Sequence, residues 1–175
     1  MDNVVRKRAG VLICIIILMI TLCSCSIVSN FNDFVNREKE IKTTAQQVMQ
    51  CIVDENKEKL LTFFSFDALN SHAEEIYPKI DSAFEFINGK IVSYEYAGKG
   101  GGRATTHYGK TTYLHCLPTF RNVITDTGFK YEIRISFFHT WQEKPEREGV
   151  ARIKIIDAED HKNYIEIGFF YSDYE

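Results

Sequence analysis

Residues 130–141 read Lys-Tyr-Glu-Ile-Arg-Ile-Ser-Phe-Phe-His-Thr-Trp, an alternation that marks the central strand of a sheet. Tyr131, Ile133, Ile135, Phe137, His139 and Trp141 fall on one face of an extended strand, with Glu132, Arg134 and Ser136 on the other. Asp126-Thr127-Gly128 reads as a turn before this strand and Lys144-Pro145-Glu146 as one after it. Alternation of the same kind recurs at Lys90–Tyr96, Thr111–Leu117, Val150–Ile156 and Tyr164–Phe170, about five strands in all. One apolar face per strand is the pattern of an antiparallel sheet covered by helices on one side.

Upstream of Gly89 the period is helical. Ile41, Ala45, Val48, Met49, Ile52 and Val53 recur at steps of three and four. Asn56 is placed to cap a second, shorter helix carrying Leu60, Leu61, Phe63 and Phe64. Ser71 and Glu74 have capping-box spacing. Pro78 then predicts either a preceding turn or a new helix that it starts. Ile80, Ala83, Phe84 and Ile87 form the next stripe, which Asn88-Gly89 closes. Residues 33–175 therefore read as a single α+β domain, N-terminal helices packed on a curved antiparallel sheet. Helices followed by a meander of strands resembles the cystatin-like cone folds, of the nuclear-transport-factor-like kind. The glycine-rich run from Gly98 to Arg103 reads as a mobile hairpin loop, since it lacks the order and the following helix of a phosphate-binding loop.

The start of the chain has another character. Arg6, Lys7 and Arg8 precede an apolar run from Val11 to Leu22, and Leu22-Cys23-Ser24-Cys25 ends it. A basic start, a short apolar core and a small-residue cleavage site mark a signal peptide, residues 1–24. The ending resembles the bacterial lipoprotein box, which implies cleavage before Cys25 and lipidation of its thiol. Acyl chains contribute about 0.8 kcal/mol per buried methylene, so such a cysteine is a membrane anchor. Residues 25–32 then form the lipidated cysteine and a tether. Counting the apolar run through Val28 gives a competing reading, an uncleaved anchor.

Removing Arg6, Lys7, Arg8 and Asp2 from 21 basic and 24 acidic residues leaves 18 and 23, a formal charge of −5. A mildly acidic surface with no basic stripe argues against nucleic acid as a partner. Cys51 and Cys116 are the two cysteines outside the leader. They lie in a helical and a strand pattern and read as separate semi-buried thiols, with a disulfide as the alternative.

A closer resemblance lies at Ala83-Phe84-Glu85-Phe86-Ile87-Asn88-Gly89-Lys90-Ile91-Val92-Ser93-Tyr94 and the glycine run behind it. It is similar to a domain-of-unknown-function family of lipoproteins from Clostridia-like Gram-positive bacteria, over about Ile41 to Phe169. The resemblance implies the same lipoprotein leader. It supplies no activity, and so no catalytic residue.

Chemistry-bearing residues are sparse. His72, His107, His115, His139 and His161 show no metal-ligand spacing, and no metal or cofactor is assigned. His139 falls beside Trp141 on the apolar face of the central strand, and the two are the candidate pocket residues. Tyr94, Tyr96, Tyr108, Tyr113 and Tyr131 suit the wall of a cleft, although tyrosine in strands more commonly serves packing. The expected function is a membrane-anchored extracytoplasmic binding or accessory domain, for a small-molecule or protein ligand. The alternatives are a small pocket hydrolase or isomerase built on His139, and a protein-interaction module that dimerises through the exposed sheet face.

Overall fold

The computed structural model describes residues 33–108, 110–169 and 171. The expected signal peptide, lipidated Cys25 and tether lie outside the described residues. The chain divides into two units, residues 1–39 and 40–175. Of the first, residues 33–39 are described and are helical. Everything below concerns the second.

β5 (Lys130–Trp141) is its axis. β6 (Gly149–Asp157) pairs antiparallel along one edge, and β7 (Tyr164–Gly168) pairs with β6. Two strands share the other edge in succession: β4 (Thr119–Thr125) lies against the first half of β5, and β3 (Lys110–Cys116) against the last. β1 (Ile91–Gly98) pairs with β4, and β2 (Gly102–His107) with β3. Among the described residues the result is an α+β fold with a seven-stranded antiparallel sheet.

Seven strands replace the expected five, because two passes of the chain are each interrupted at midpoint. Lys99–Gly101 breaks one, Leu117–Pro118 breaks its neighbour, and the Leu117 N–H donates to the Lys99 carbonyl at 2.9 Å. The glycine run is therefore no hairpin loop. It continues an edge pass, and the hairpin turn falls at Tyr108, whose φ is +48°. Gly100 has φ +66°, and a Cβ there would overlap the Leu117 carbonyl oxygen. The two added strands carry weak signals. β2 is exposed throughout, so it has no apolar face to read. In β4, Asn122 (φ +49°) sits in a bulge that brings Phe120 opposite Ile133 and Val123 opposite Tyr131. That spacing of three hides the alternation.

α1 (residues 40–53) buries Ile41, Ala45, Val48, Met49 and Ile52, the stripe expected of it. Asn56 caps α2 (Lys57–Leu61), its Oδ1 accepting from the Lys59 N–H at 2.9 Å. α3 (Phe66–Phe86) starts at Ser65 rather than Ser71, with Ser65 Oγ accepting from the Ala68 N–H. The expected boundary survives as a kink at His72, which has non-helical φ and ψ. Pro78 lies inside the helix, neither after a turn nor as a first residue. Its ring is compatible with helical φ, and fully buried Ile76, Ile80 and Ala83 on either side offset the lost hydrogen bond.

Gly89 ends the helical region with φ +92° and leaves no room for a Cβ against Asp126 and Thr127. Those two residues hold the turn: Asp126 accepts from the Lys90 N–H, and the Thr127 hydroxyl donates to the Asn88 carbonyl. Tyr131 Oη accepts from the Asn88 N–H and donates to the Phe86 carbonyl, so the end of α3 is tied to β5.

Buried residues of α1, α2 and α3 form one core with Phe120, Val123, Tyr131, Ile133, Ile135, Ile153, Ile155 and Ile167. Phe138, Trp141, Ala151 and Tyr171 form a second, smaller cluster. Cys51 and Cys116 are both buried and are not joined in a disulfide. Burial pushes the Cys51 thiol above its ordinary pKa. Among the described residues no helix is long and apolar enough to cross a membrane.

Candidate functional site

The second cluster exists because β5 carries a bulge. Against β3, Phe138 pairs with His115, Thr140 with Leu114 and Trp141 with Tyr113, which leaves His139 as the extra residue. An extra residue inverts the faces of everything beyond it. Trp141 thus joins Phe138, Tyr113 and His115 on one face: Tyr113 meets Trp141 edge-on with ring centroids 5.1 Å apart, and His115 stacks on Phe138 at 4.5 Å. His139 stays on the opposite face beside Thr140, their Nδ1 and Oγ1 2.9 Å apart. The two candidate pocket residues are not brought together. The alternation that placed them on one face assumed a strand without a bulge.

Trp141 and Tyr113 line a cleft of about 260 Å³ with Arg103, Thr105, Thr112 and Glu143. Register explains the assembly. Thr105, Tyr113 and Trp141 are successive partners across β2, β3 and β5, and Arg103 lies opposite His115 in the next row. Glu143 follows in the turn after β5. Arg103, Thr105 and Glu143 are exposed, Thr112 and Tyr113 half-buried, and Trp141 is only 9% exposed.

The back of Trp141 is braced. Its backbone N–H donates to Glu148 Oε1 at 2.7 Å, and the Arg147 guanidinium lies 5.4 Å from its ring centroid. Arg147 comes from the 3₁₀ turn Pro145–Arg147, reaches Asp67 Oδ2 at 3.2 Å and stands 4.4 Å over the Tyr171 ring. The Tyr171 hydroxyl and Ser65 Oγ lie 3.0 Å apart in the interior. Burial pushes the Tyr171 phenol up to about 12, the charge of Asp67 adding to the effect. Below the cleft, His115 Nε2 and Ser136 Oγ, both buried, are 2.9 Å apart. These contacts hold the aromatic wall in one orientation.

His139 has a carboxylate neighbour, with Nε2 3.0 Å from Glu40 Oε2 of α1. The Glu40 side chain is 64% exposed, and His139 lines neither this cleft nor the second one. That second, more open hollow of about 530 Å³ lies at the end of α3, among Asn88, Gly89, Phe129, Tyr131, Asp157 and other residues. Backbone N–H donation from Glu159 leads the causes that hold the Asp157 carboxyl below its ordinary pKa. Among the described residues no group of three or more His, Cys, Asp or Glu is placed to hold a metal.

Of the five tyrosines considered for a cleft wall, Tyr113 lines the first hollow and Tyr131 the second. Tyr94 and Tyr96 pack against Phe120, and Tyr108 is 94% exposed at the hairpin turn. Sequence reading missed Arg103, Thr105, Thr112 and Glu143. Arg103 belongs to a glycine-rich run and Thr105 to a strand with no apolar face, so nothing local places either beside Trp141.

No curated protein matches the chain. A family profile does, over residues 47–158, from the middle of α1 to just past β6. That span holds all six residues lining the cleft, and the chain belongs to the family described as a domain of unknown function (DUF5104).

Proposed function

We propose that this protein is an extracytoplasmic ligand-binding domain, held at the cell membrane by a lipid on Cys25 and reached through the tether of residues 25–32. The observation that carries the binding reading is the cleft at Trp141: an immobilised aromatic wall beside exposed groups of both charges and two hydroxyls. The address rests on the basic start, the apolar run and the Leu22–Cys25 ending, the features of a Gram-positive lipoprotein. Paired interruptions at Lys99–Gly101 and Leu117–Pro118, with bulges in β4 and β5, support a curved sheet of the cystatin-like cone kind around the helices.

An enzyme built on His139 is less well supported, because its Glu40 pair lies away from both hollows. An interaction module with a flat apolar sheet face is also less well supported. The outward positions of β4 to β7 carry Arg121 with Glu132, and Arg152 and Lys154 with Glu166, a polar surface.

Metabolic labelling with an alkynyl palmitate analogue tests the anchor. Label is expected on the wild-type chain and absent from Cys25→Ala; label that persists in the variant overturns the assignment.

A further inference from the structure

We propose that the Trp141 cleft takes one neutral, polyhydroxylated ring, a single sugar unit of a glycan. This deepens, and rests on, the reading of the cleft as the binding site.

Size bounds the occupant first. The cleft holds about 260 Å³, just under the ~300–1,000 Å³ of sites that enclose drug-sized ligands. One ring fits, with any further units running out into solvent.

Chemistry selects among rings. Tyr113 and Trp141 offer an apolar wall, which suits the C–H surface of a pyranose. The Arg103 guanidinium can only donate and the Glu143 carboxylate can only accept, whereas the Thr105 and Thr112 hydroxyls do both. A sugar hydroxyl also does both, so a single neutral ring can satisfy both charged walls through charge-assisted hydrogen bonds. A zwitterionic amino acid offers both charges too. It must, however, shed the hydration of two full charges to meet Arg103 and Glu143, which are exposed, and ion pairs to exposed groups return little. A flat apolar ligand would strip water from the exposed Arg103, Thr105 and Glu143 without replacing its hydrogen bonds. The polyol leaves the least unmatched.

Trp141 is the only tryptophan of the chain, so its emission reports on this cleft alone. The full chain, in a sugar-free detergent, is titrated with glucose, galactose and N-acetylglucosamine, and in parallel with glycine, glutamate and Ala-Ala. A saturable emission shift is expected with at least one sugar. Arg103→Ala and Glu143→Gln should each weaken it by up to about fivefold, as for loss of a charged contact at an exposed group. Unchanged circular dichroism identifies the variants that fold, and either one suffices. A sugar-induced shift that neither substitution weakens overturns the proposal. Should glycine, glutamate or Ala-Ala shift the emission while no sugar does, the glycan is overturned and the cleft stands as a binding site. Silence with every probe overturns both readings.

Discussion

His139 and Trp141 stand two residues apart in one strand and occupy opposite faces of the sheet. His139 is the extra residue of the bulge against β3, so Trp141 regains register with Tyr113 only beyond it. The bulge thereby turns the tryptophan away from the main core and onto the wall of the cleft.

Deleting His139 should therefore be milder than it looks. Phe138, Thr140 and Trp141 would then pair with His115, Leu114 and Tyr113 in unbroken alternation, and Trp141 would keep its face. The loss includes a hydrogen bond to an exposed Glu40, a pair of the class worth about 0–1 kcal/mol. Truncating Trp141→Ala, by contrast, should cost about 3–5 kcal/mol. Urea unfolding followed by circular dichroism checks both costs, and tryptophan emission checks the deletion variant, which keeps Trp141. A deletion variant with strongly red-shifted emission would show that the bulge sets the orientation of Trp141 in some other way.

Neighbouring glycines in the interrupted edge pass should respond in opposite ways to alanine. Gly100 combines a left-handed φ with a Cβ position that overlaps the Leu117 carbonyl. Its substitution should cost more than the roughly 1–2 kcal/mol of a left-handed residue alone, because backbone must move as well. Gly101 has open space within 4 Å of its Cβ position and no left-handed φ. Alanine there should be neutral, or stabilising by up to about 1 kcal/mol through the unfolded chain. Thermal melts of the two variants side by side give the comparison, and equal losses would contradict the account.

Tyr171 should make the fold sensitive to alkali. Its phenol is pushed up to about 12 in the folded chain, from an ordinary value of 10.0, mainly by burial. The neutral form is the one the fold favours, so the contribution is fully present below pH 10 and is lost as pH rises to 12. The whole step is on the order of 3 kcal/mol. Tyr171→Phe loses the contact with Ser65 at neutral pH and should show a shallower fall in stability between those limits. Parallel slopes for wild type and variant in chemical denaturation across that range would refute the assignment to Tyr171.

Much of the fold was legible because its signals are local. The stripe of α1, the cap at Asn56, the left-handed stop at Gly89 and the apolar faces of β5, β6 and β7 each depend on a few adjacent residues. Their spacing expresses the period of the backbone itself. The proposed leader is read from a signal of the same kind, the order of charge, apolar run and cysteine.

What the tertiary structure decided concerns positions defined by a partner strand. A bulge exists only relative to its neighbour, so nothing inside Lys130–Trp141 announces that His139 is the extra residue. The glycine run from Gly98 could be told from a hairpin only once Leu117 was seen to donate to Lys99. α3 likewise begins at Ser65 rather than Ser71, its capping hydroxyl also meeting Tyr171 from the far end of the chain. The α+β class, the helical stripes and the strand faces follow from the order of residues alone. Tertiary pairing decided the register, and with it which side chains meet at the cleft, because register depends on residues brought together from distant parts of the chain.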